Sequence, residues 1–126
     1  MKTSESSQSM LETFLRLTST REKAISANMA NIDTPGYRAL DINFESEMSR
    51  AMNQVPMKLA DGSEVQLHPV VRQVRGLMER PDGNDVNLDR EGLLLAETQL
   101  QYSLGIQLLK RHFHQMLSAI NGGSSS

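Results

Sequence analysis

The chain has 126 residues, a net charge of −2 at pH 7 and a hydrophobic content of 38%, which fits a single domain with a thin core. The absence of cysteine excludes disulfides and thiolate chemistry. Acidic and basic residues are interspersed, so the chain lacks the clustered basic face that binding to nucleic acid requires.

The first predicted element is an N-terminal helix over residues 9–32. Its apolar side chains recur three or four residues apart, which is the spacing of one helix face. The stripe consists of Leu11, Leu15, Thr18, Glu22, Ile25, Met29 and Ile32, with a polar gap in the middle at Thr18 and Glu22. Ser9 is the predicted N-cap, because Glu12 follows three residues later as in a capping box. The serine-rich residues 1–8 are predicted to be disordered.

Small residues and two asparagines mark the end of this helix. Ala24, Ala27 and Ala30 recur every three residues, so that one ridge of the helix lets another backbone approach closely. Asn28 and Asn31 lie beside that ridge. We expect their side chains to form hydrogen bonds with peptide groups of the neighbouring backbone.

The helix is predicted to stop at a turn. Thr34 precedes proline and is therefore disfavoured in the helical region. Pro35 and Gly36 suit the two central positions of a type II turn, the second of which needs a positive φ. Tyr37 is then expected to begin an extended segment.

The middle of the chain, residues 33–88, is predicted to hold this turn, a short helix and a loop or hairpin insertion. Asn43 is a suitable cap for a helix over residues 44–53. Asp61-Gly62-Ser63 lies between two short alternating runs, which favours a hairpin. The sequence RPDGND at residues 80–85 indicates another turn.

A long C-terminal helix is predicted over residues 89–121, with Asp89 as its N-cap and a flexible tail over residues 122–126. A heptad seam runs along it through Leu95, Gln99, Tyr102, Ile106, Leu109, Phe113, Met116 and Ile120. Five further leucines lie outside the seam, namely Leu93, Leu100, Leu104, Leu108 and Leu117. The apolar surface is therefore wider than one partner helix can cover. The predicted length of about 48 Å is long for a small globular domain and more typical of a coiled coil or a fibre subunit.

No catalytic or metal site is predicted. Asp85, Asn87 and Asp89 occupy positions one, three and five of a calcium loop, but Arg90 stands where glycine is needed and Ala96 where glutamate is needed. A structural turn followed by a helix cap explains these residues better. We expect a protein that is not an enzyme and binds no cofactor or small-molecule substrate.

The stretch ANMANIDTPGY, residues 27–37, resembles the signature of flagellar axial proteins, which comprise rod, hook and hook-associated subunits. The matching positions are Ala27, Asn28, Ala30, Asn31, Thr34, Pro35, Gly36 and Tyr37. YRALDINFESEM and the segment from RPDGND to residue 120 narrow the resemblance to the flagellar basal-body rod protein family, closest to its short proximal-rod subunits. The resemblance covers most of residues 10–121 and is weakest over 50–80. Gly92 departs from it, because the family tends to carry a larger residue there.

The resemblance implies an all-α, elongated two-helix coiled coil made by the terminal helices, with a short irregular middle. It also implies subunits that stack helically, with other basal-body proteins, into a hollow periplasmic rod that transmits torque. Such subunits pass through the flagellar type III export apparatus without a cleaved signal, which agrees with the lack of a signal-like or membrane-spanning apolar run in this sequence.

The residues expected to mediate self-assembly are Leu11, Leu15, Ile25, Tyr102, Leu104, Ile106, Leu108, Leu109, Phe113, Met116, Leu117 and Ile120. Two alternatives remain open at this stage. One is another rod subunit of the same axial family. The other is a cytosolic two-helix adaptor that binds one partner through the C-terminal seam.

Overall fold

The computed structural model describes residues 2–53, 60–62 and 68–122. The elements in chain order are α1 (Lys2–Ala30), β1 (Leu40–Ile42), α2 (Phe44–Asn53), β2 (Val71–Gln73) and α3 (Leu88–Gly122). The predicted all-α class, with long helices at both ends of the chain, is confirmed. Within the described ranges, no helix is both long and apolar enough to span a membrane.

Helix α1 begins earlier than the sequence predicted. It starts at Lys2, so Ser9 lies inside the helix and is not its N-cap, and residues 2–8 are helical rather than disordered. Asn31 follows the last helical residue, and its backbone amide still donates to the Ala27 carbonyl at 3.1 Å.

Helix α3 also begins one residue before its predicted cap. Asn87, not Asp89, caps it: the Asn87 side-chain oxygen accepts from the Arg90 amide at 3.2 Å, and the Asn87 carbonyl accepts from the Glu91 amide at 2.9 Å. Asn and Asp are about equally good caps, so local sequence alone did not separate the two candidates. Gly122, predicted to open the tail, is the last residue of α3, and the rest of the tail lies outside the described residues.

The middle of the chain contains the predicted short helix α2. Asn43 caps it as expected, with its side-chain oxygen 3.1 Å from the Ser46 amide. Strands β1 and β2, each only three residues long, pair antiparallel with Leu40 opposite Gln73. The sequence did not predict this pair, since three residues carry too little alternation to detect. The runs on either side of the predicted Asp61-Gly62-Ser63 hairpin lie outside the described residues.

The core forms around α1, which packs against α3, α2 and β1. The Phe14 and Phe44 rings join α1 to α2 edge to face, with centroids 5.4 Å apart. The most deeply buried apolar residues are Leu17, Ala24, Ile25, Ala39, Ile42 and Val86. Contacts of Asn28 with Glu91 and of Leu15 with Gly105 show that α1 and α3 run antiparallel.

The face that α3 turns towards α1 differs from the predicted heptad seam. Its buried residues are Glu91, Thr98 and Gly105, which are seven residues apart. A Cβ atom added at Gly105 would lie 2.7 Å from Leu15 Cδ2, so the helices approach most closely where α3 has no side chain. The residues of α3 at its closest contact with α1 are therefore small or hydrogen-bonded rather than large and apolar.

This seam is rotated by about one residue from the predicted one. Predicted members that are partly buried are Leu95, Ile106, Leu109 and Met116. Predicted members that remain exposed are Gln99, Tyr102, Phe113 and Ile120. Phe113 is a predicted member of the heptad seam, but 44% of that residue is exposed, so α1 does not cover it.

Candidate functional site

The asparagine of the signature at position 28 joins three elements of the fold. Its side-chain nitrogen donates to the Leu40 carbonyl at 2.9 Å and to Glu91 Oε2 at 3.1 Å. Its side-chain oxygen accepts from the Leu40 amide at 2.8 Å and from the Tyr37 hydroxyl at 3.2 Å. Both donors and both acceptor positions of the amide are thus used, with only 1% of the residue exposed. The expectation that this side chain binds the peptide groups of a neighbouring backbone is confirmed for Leu40.

Asn31 has a local role, at the end of α1. Its side-chain nitrogen donates to the Ala27 carbonyl at 2.8 Å, and its side-chain oxygen accepts from the Thr34 hydroxyl at 3.1 Å. Of the small-residue ridge, Ala24 is buried, Ala27 is half-buried and Ala30 is exposed. Burial within the chain therefore decreases along the ridge from Ala24 to Ala30.

The predicted turn follows directly. Gly36 has a φ of 75°, the positive value that its place in the turn requires. The Tyr37 amide donates to the Thr34 carbonyl at 3.2 Å and closes the turn. No atom lies within 4 Å of a Cβ built on Gly36, so the need for glycine is conformational and not steric.

A second turn, from Arg80 to Val86, packs against the first, and the sequence did not predict this contact. Gly83 has a φ of 82°, and a Cβ built on it would lie 3.4 Å from the Gly36 Cα atom. The Gly36 amide donates to the Asp82 carbonyl at 2.8 Å. The two glycine turns are therefore in direct backbone contact, and we call them together the double turn.

Asn84 fastens the double turn to the end of α1. Its side-chain nitrogen lies 2.9–3.0 Å from the carbonyl oxygens of Asn31, Ile32 and Thr34, and its side-chain oxygen accepts from the Val86 amide at 2.8 Å. These carbonyls belong to residues that follow Ala30, the last residue of α1. Asn84, which is fully buried, binds them from 50–53 residues further along the chain.

Two charged residues strengthen the same junction. Asp85 accepts from the Ala39 amide at 2.6 Å and lies 3.7 Å from the Arg38 guanidinium. Arg80 donates to the Val86 carbonyl at 2.9 Å and also to the Ile32 carbonyl. Asp85 thus joins the double turn to the segment that precedes β1. This residue occupies position one of the imperfect calcium-loop pattern, and its contacts here are structural.

Glu91 is the buried carboxylate of this region. It is fully buried and accepts from Asn28 and, at 3.1 Å, from Arg90. Tyr37 lies close by, and burial together with the Glu91 charge raises the pKa of its hydroxyl above the usual 10.0. The arrangement is structural: every polar group in it is used to hold the fold. Within the described residues, no three His, Cys, Asp or Glu side chains form a group that could hold a metal ion.

Helix α3 presents a different kind of candidate site, on the surface. Gly105 marks the direction in which α3 faces α1, and successive residues are rotated by about 100° around the helix axis. Measured around that axis from Gly105, one row of exposed apolar residues lies about 60–140° to one side. A second row lies about 60–120° to the other side. The leucine flank consists of Leu93, Leu100, Leu104 and Leu108. The C-terminal flank consists of Tyr102, Phe113, Leu117 and Ile120. At least 40% of each of these residues is exposed.

The other residues expected to mediate assembly lie further inside. Leu11, Leu15, Ile106, Leu109 and Met116 are half-buried. Ile25 is only 1% exposed, because it packs in the core between α1 and its neighbours, so we remove it from the candidate interface.

Relatives identify the family. No family model matches the chain. The chain is 32% identical over 123 residues to the flagellar basal body rod protein FlgB of Salmonella typhimurium, covering 87% of this chain and 89% of that protein. It is 29% identical over 123 residues to FlgB of Escherichia coli, with the same coverage. It is 30% identical over 118 residues to FlgB of Buchnera aphidicola, covering 86% and 89%. The signature, the turn it forms and these relatives agree: the chain belongs to the FlgB family of flagellar basal body rod proteins.

Proposed function

We propose that this protein is a structural subunit of the proximal rod, which polymerises helically into the hollow drive shaft of the flagellum. Its partners are further copies and other rod or basal-body proteins, its place is the periplasmic part of the basal body, and it is not an enzyme. It reaches that place through the flagellar type III export apparatus without cleavage of a signal. The FlgB relatives support the basal-body assignment.

The observation that carries the polymerisation proposal is the pair of exposed apolar flanks on α3. Exposed fractions reach 61% for Leu100, 56% for Leu117 and 71% for Ile120. Exposed apolar surface of this extent marks an interaction site. The outward face of α1 offers a contrast, since it carries Glu12, Arg16 and Lys23.

The placement of the flanks supports an open polymer. They lie on opposite sides of the line that faces α1, and the C-terminal flank is concentrated in the last third of the helix. Two different surfaces on one subunit permit head-to-tail contacts, which extend indefinitely when the rotation between subunits does not close a ring.

Charge substitutions on the flanks test this proposal. Leu108→Asp and Phe113→Asp each place a carboxylate on an exposed position, so we expect the stability of the free subunit to change by at most about 0.5 kcal/mol. Both variants should be exported normally and be missing from purified basal bodies, with loss of swimming. Leu17→Asp, at a core position that is 3% exposed, is the control that should unfold the subunit.

The outcomes separate the proposal from the two-helix adaptor. A rod subunit is recovered in basal bodies and forms polymers that grow with concentration under assembly conditions. An adaptor forms a complex of fixed size in the cytosol and is missing from basal bodies. Normal swimming by both flank variants would remove these surfaces from the proposal.

A further inference from the structure

Met78 is the most exposed large apolar residue in the part of the chain that the structure describes, with an exposed fraction of 92%. It lies on the loop that joins β2 to the second turn, residues 74–79, which we call the Met78 loop. A single exposed apolar side chain needs no explanation of its own. Two further observations, the way this loop is held and a groove elsewhere on the molecule, give it a role.

The Met78 loop is held near both of its ends. At its start, the Val74 amide donates to the Ala39 carbonyl at 2.9 Å. At its end, Glu79 forms an ion pair with Arg38 through the Oε1 atom of the glutamate. Met78 is therefore presented to solvent by a loop with a fixed course, which lowers the entropy cost of binding through it.

A groove of matching chemistry lies on the leucine flank. It has a volume of about 360 Å³ and is lined by Leu104, Gln107, Leu108 and Arg111. The two leucines make it apolar, and a methionine side chain is flexible enough to fill an irregular apolar gap.

The charges beside the loop and the groove are opposite. Arg111, one turn beyond Leu108, forms no ion pair within the described ranges. Glu79 follows Met78 directly, and its Oε2 atom has no partner among the described residues. Seating Met78 in the groove therefore brings a carboxylate oxygen to an arginine that lacks a partner.

The Met78 loop and the groove lie too far apart to meet within one chain. Arg80 donates to the Val86 carbonyl at 2.9 Å, which places the loop near the start of α3. Met78 is two residues from Arg80, a reach of at most about 7 Å. Leu104 lies about 24 Å along the helix axis from Leu88, the first residue of α3. The groove of one copy can therefore receive only the loop of another copy.

We propose that, in the assembled rod, the Met78 loop of one subunit docks in the groove at Leu104 and Leu108 of the next copy. Met78 packs against the two leucines, and Glu79 pairs with Arg111 of that copy. The contact rests on the proposed rod function and names the occupant of the leucine flank. It is made between assembled subunits and requires no structure of α3 before assembly.

This contact is directional. Loop and groove are different surfaces, so the contact is head-to-tail, and each added copy presents a new loop or groove to the next. With the α3 helices of two copies parallel, seating the loop at Leu104 and Leu108 displaces the copies by about 24–30 Å along the helix axis.

Disulfide cross-linking in purified basal bodies tests the contact, since the chain contains no cysteine. Cells that express Met78→Cys and Leu108→Cys on separate chains should give a linked dimer after mild oxidation, and either variant alone should give none. One chain that carries both substitutions should give a ladder of dimers, trimers and longer products, because each copy then uses both its loop and its groove.

Leu117→Cys is the matched control for the groove. It replaces another exposed leucine of α3, on the C-terminal flank and about 14 Å further along the helix than Leu108. Expressed together with Met78→Cys, it should give no linked dimer. Equal cross-linking of position 78 to positions 108 and 117 would overturn the contact.

Substitution of Met78 tests whether the contact contributes to assembly. Met78→Asp places a charge against the two leucines and should reduce recovery in basal bodies at least about fivefold, as for loss of an interface anchor. Met78→Leu should keep the parent recovery. Met52→Asp, at an exposed methionine outside the contact, is the control, and export of each variant is measured in the same cells. Normal recovery and swimming with Met78→Asp reject the contact, even where a cysteine variant does not assemble.

The outcomes also separate this contact from the rod function. Recovery of the parent chain and of both cysteine variants in basal bodies, without a linked dimer, rejects the contact and leaves the rod function standing. Absence of the parent chain from basal bodies rejects the rod function itself, and the contact with it.

Discussion

The double turn and the last two-thirds of α3 use their polar and apolar groups in opposite ways. In and beside the double turn, Asn84, Asn28 and Glu91 are at most 1% exposed and all make hydrogen bonds within the chain. Along α3, Leu104 and Ile120 expose half or more of their area. The first region makes its contacts within one chain, whereas the second leaves apolar side chains exposed. In the proposed rod, the residues of the family signature would fix the geometry of the subunit, and α3 would carry its contacts with neighbours.

The largest expected loss of stability comes from placing a charge at the buried position of Asn28. Asn28→Asp removes the donors to Leu40 and Glu91 and places a second carboxylate beside Glu91. We expect a loss of about 3–5 kcal/mol in the free energy of unfolding, as for an uncompensated buried charge. Urea unfolding measures it, with Asn53→Asp, at an exposed position, as the control. A loss below about 1 kcal/mol would mean that Asn28 does not hold the junction together.

The contact between the long helices gives a second test, in which the same substitution should act in opposite directions. Gly105→Leu forces a side chain against Leu15 and Phe14 and should cost about 1–3 kcal/mol. Gly92→Leu meets no atom within 4 Å of its Cβ and should stabilise the helix by about 0.8 kcal/mol through helix propensity. Thermal unfolding of both variants compares them. Equal effects at the two positions would contradict the seam through Glu91, Thr98 and Gly105.

Gly36→Val should lower the free energy of unfolding by about 1–2 kcal/mol, because it forces a branched residue into a left-handed backbone conformation. Since no atom crowds the site, the loss isolates backbone strain from packing. Gly36→Asn is the matched control, because asparagine adopts this region more readily. We expect reduced swimming with continued export for the valine variant and near-normal swimming for the asparagine variant. If both variants swim normally, the turn geometry does not affect assembly.

The smallest effect depends on pH. Burial and the charge of Glu91 raise the pKa of Tyr37 in the folded state above its usual 10.0, so folding favours the neutral hydroxyl. The resulting stability is complete below pH 10.0 and is lost as pH rises through the higher folded pKa. Tyr37→Phe should flatten this alkaline dependence and lose about 0.5–1.5 kcal/mol at neutral pH, since its hydrogen bond to Asn28 is removed.

Urea titrations at pH 8 and above pH 10 measure the slope for the parent chain and for Tyr37→Phe. Tyr102→Phe is the control, because it leaves the Tyr37–Asn28 hydrogen bond in place. An unchanged alkaline slope in Tyr37→Phe would show that another group causes it.

Features that depend on neighbouring residues could be predicted from the sequence. Helical spacing predicted both long helices, Asn43 predicted the start of α2, and Pro35-Gly36 predicted the positive φ in the turn. In each case the deciding interaction spans at most one helical turn or one β-turn, so its chemistry is visible in a short stretch of sequence.

Features that depend on residues far apart in the sequence could not be predicted from the sequence. Asn84 reads as a turn residue, and nothing near it indicates that its side chain binds carbonyls of residues 31–34. The α1–α3 seam was predicted from the largest apolar residues, but Gly105 and Thr98 lie at the closest approach because they are small. The large apolar residues of α3 that do not face α1 then form the two exposed flanks. The rotation of one residue thus explains both the wrong seam and the exposure of Phe113.

The hydrogen bonds from Asn84 to residues 31–34 also set the order in which the structure can be completed. A helix capped by an adjacent residue is finished as soon as that residue is present, whereas closing a loop of about 50 residues carries a much larger chain-entropy cost. Residues 31–34, which follow α1, and the turn around Asn84 are therefore completed together, since each holds the other. A chain that emerges N-terminus first holds residues 31–34 without these hydrogen bonds until Asn84, two-thirds of the way along the sequence, has followed.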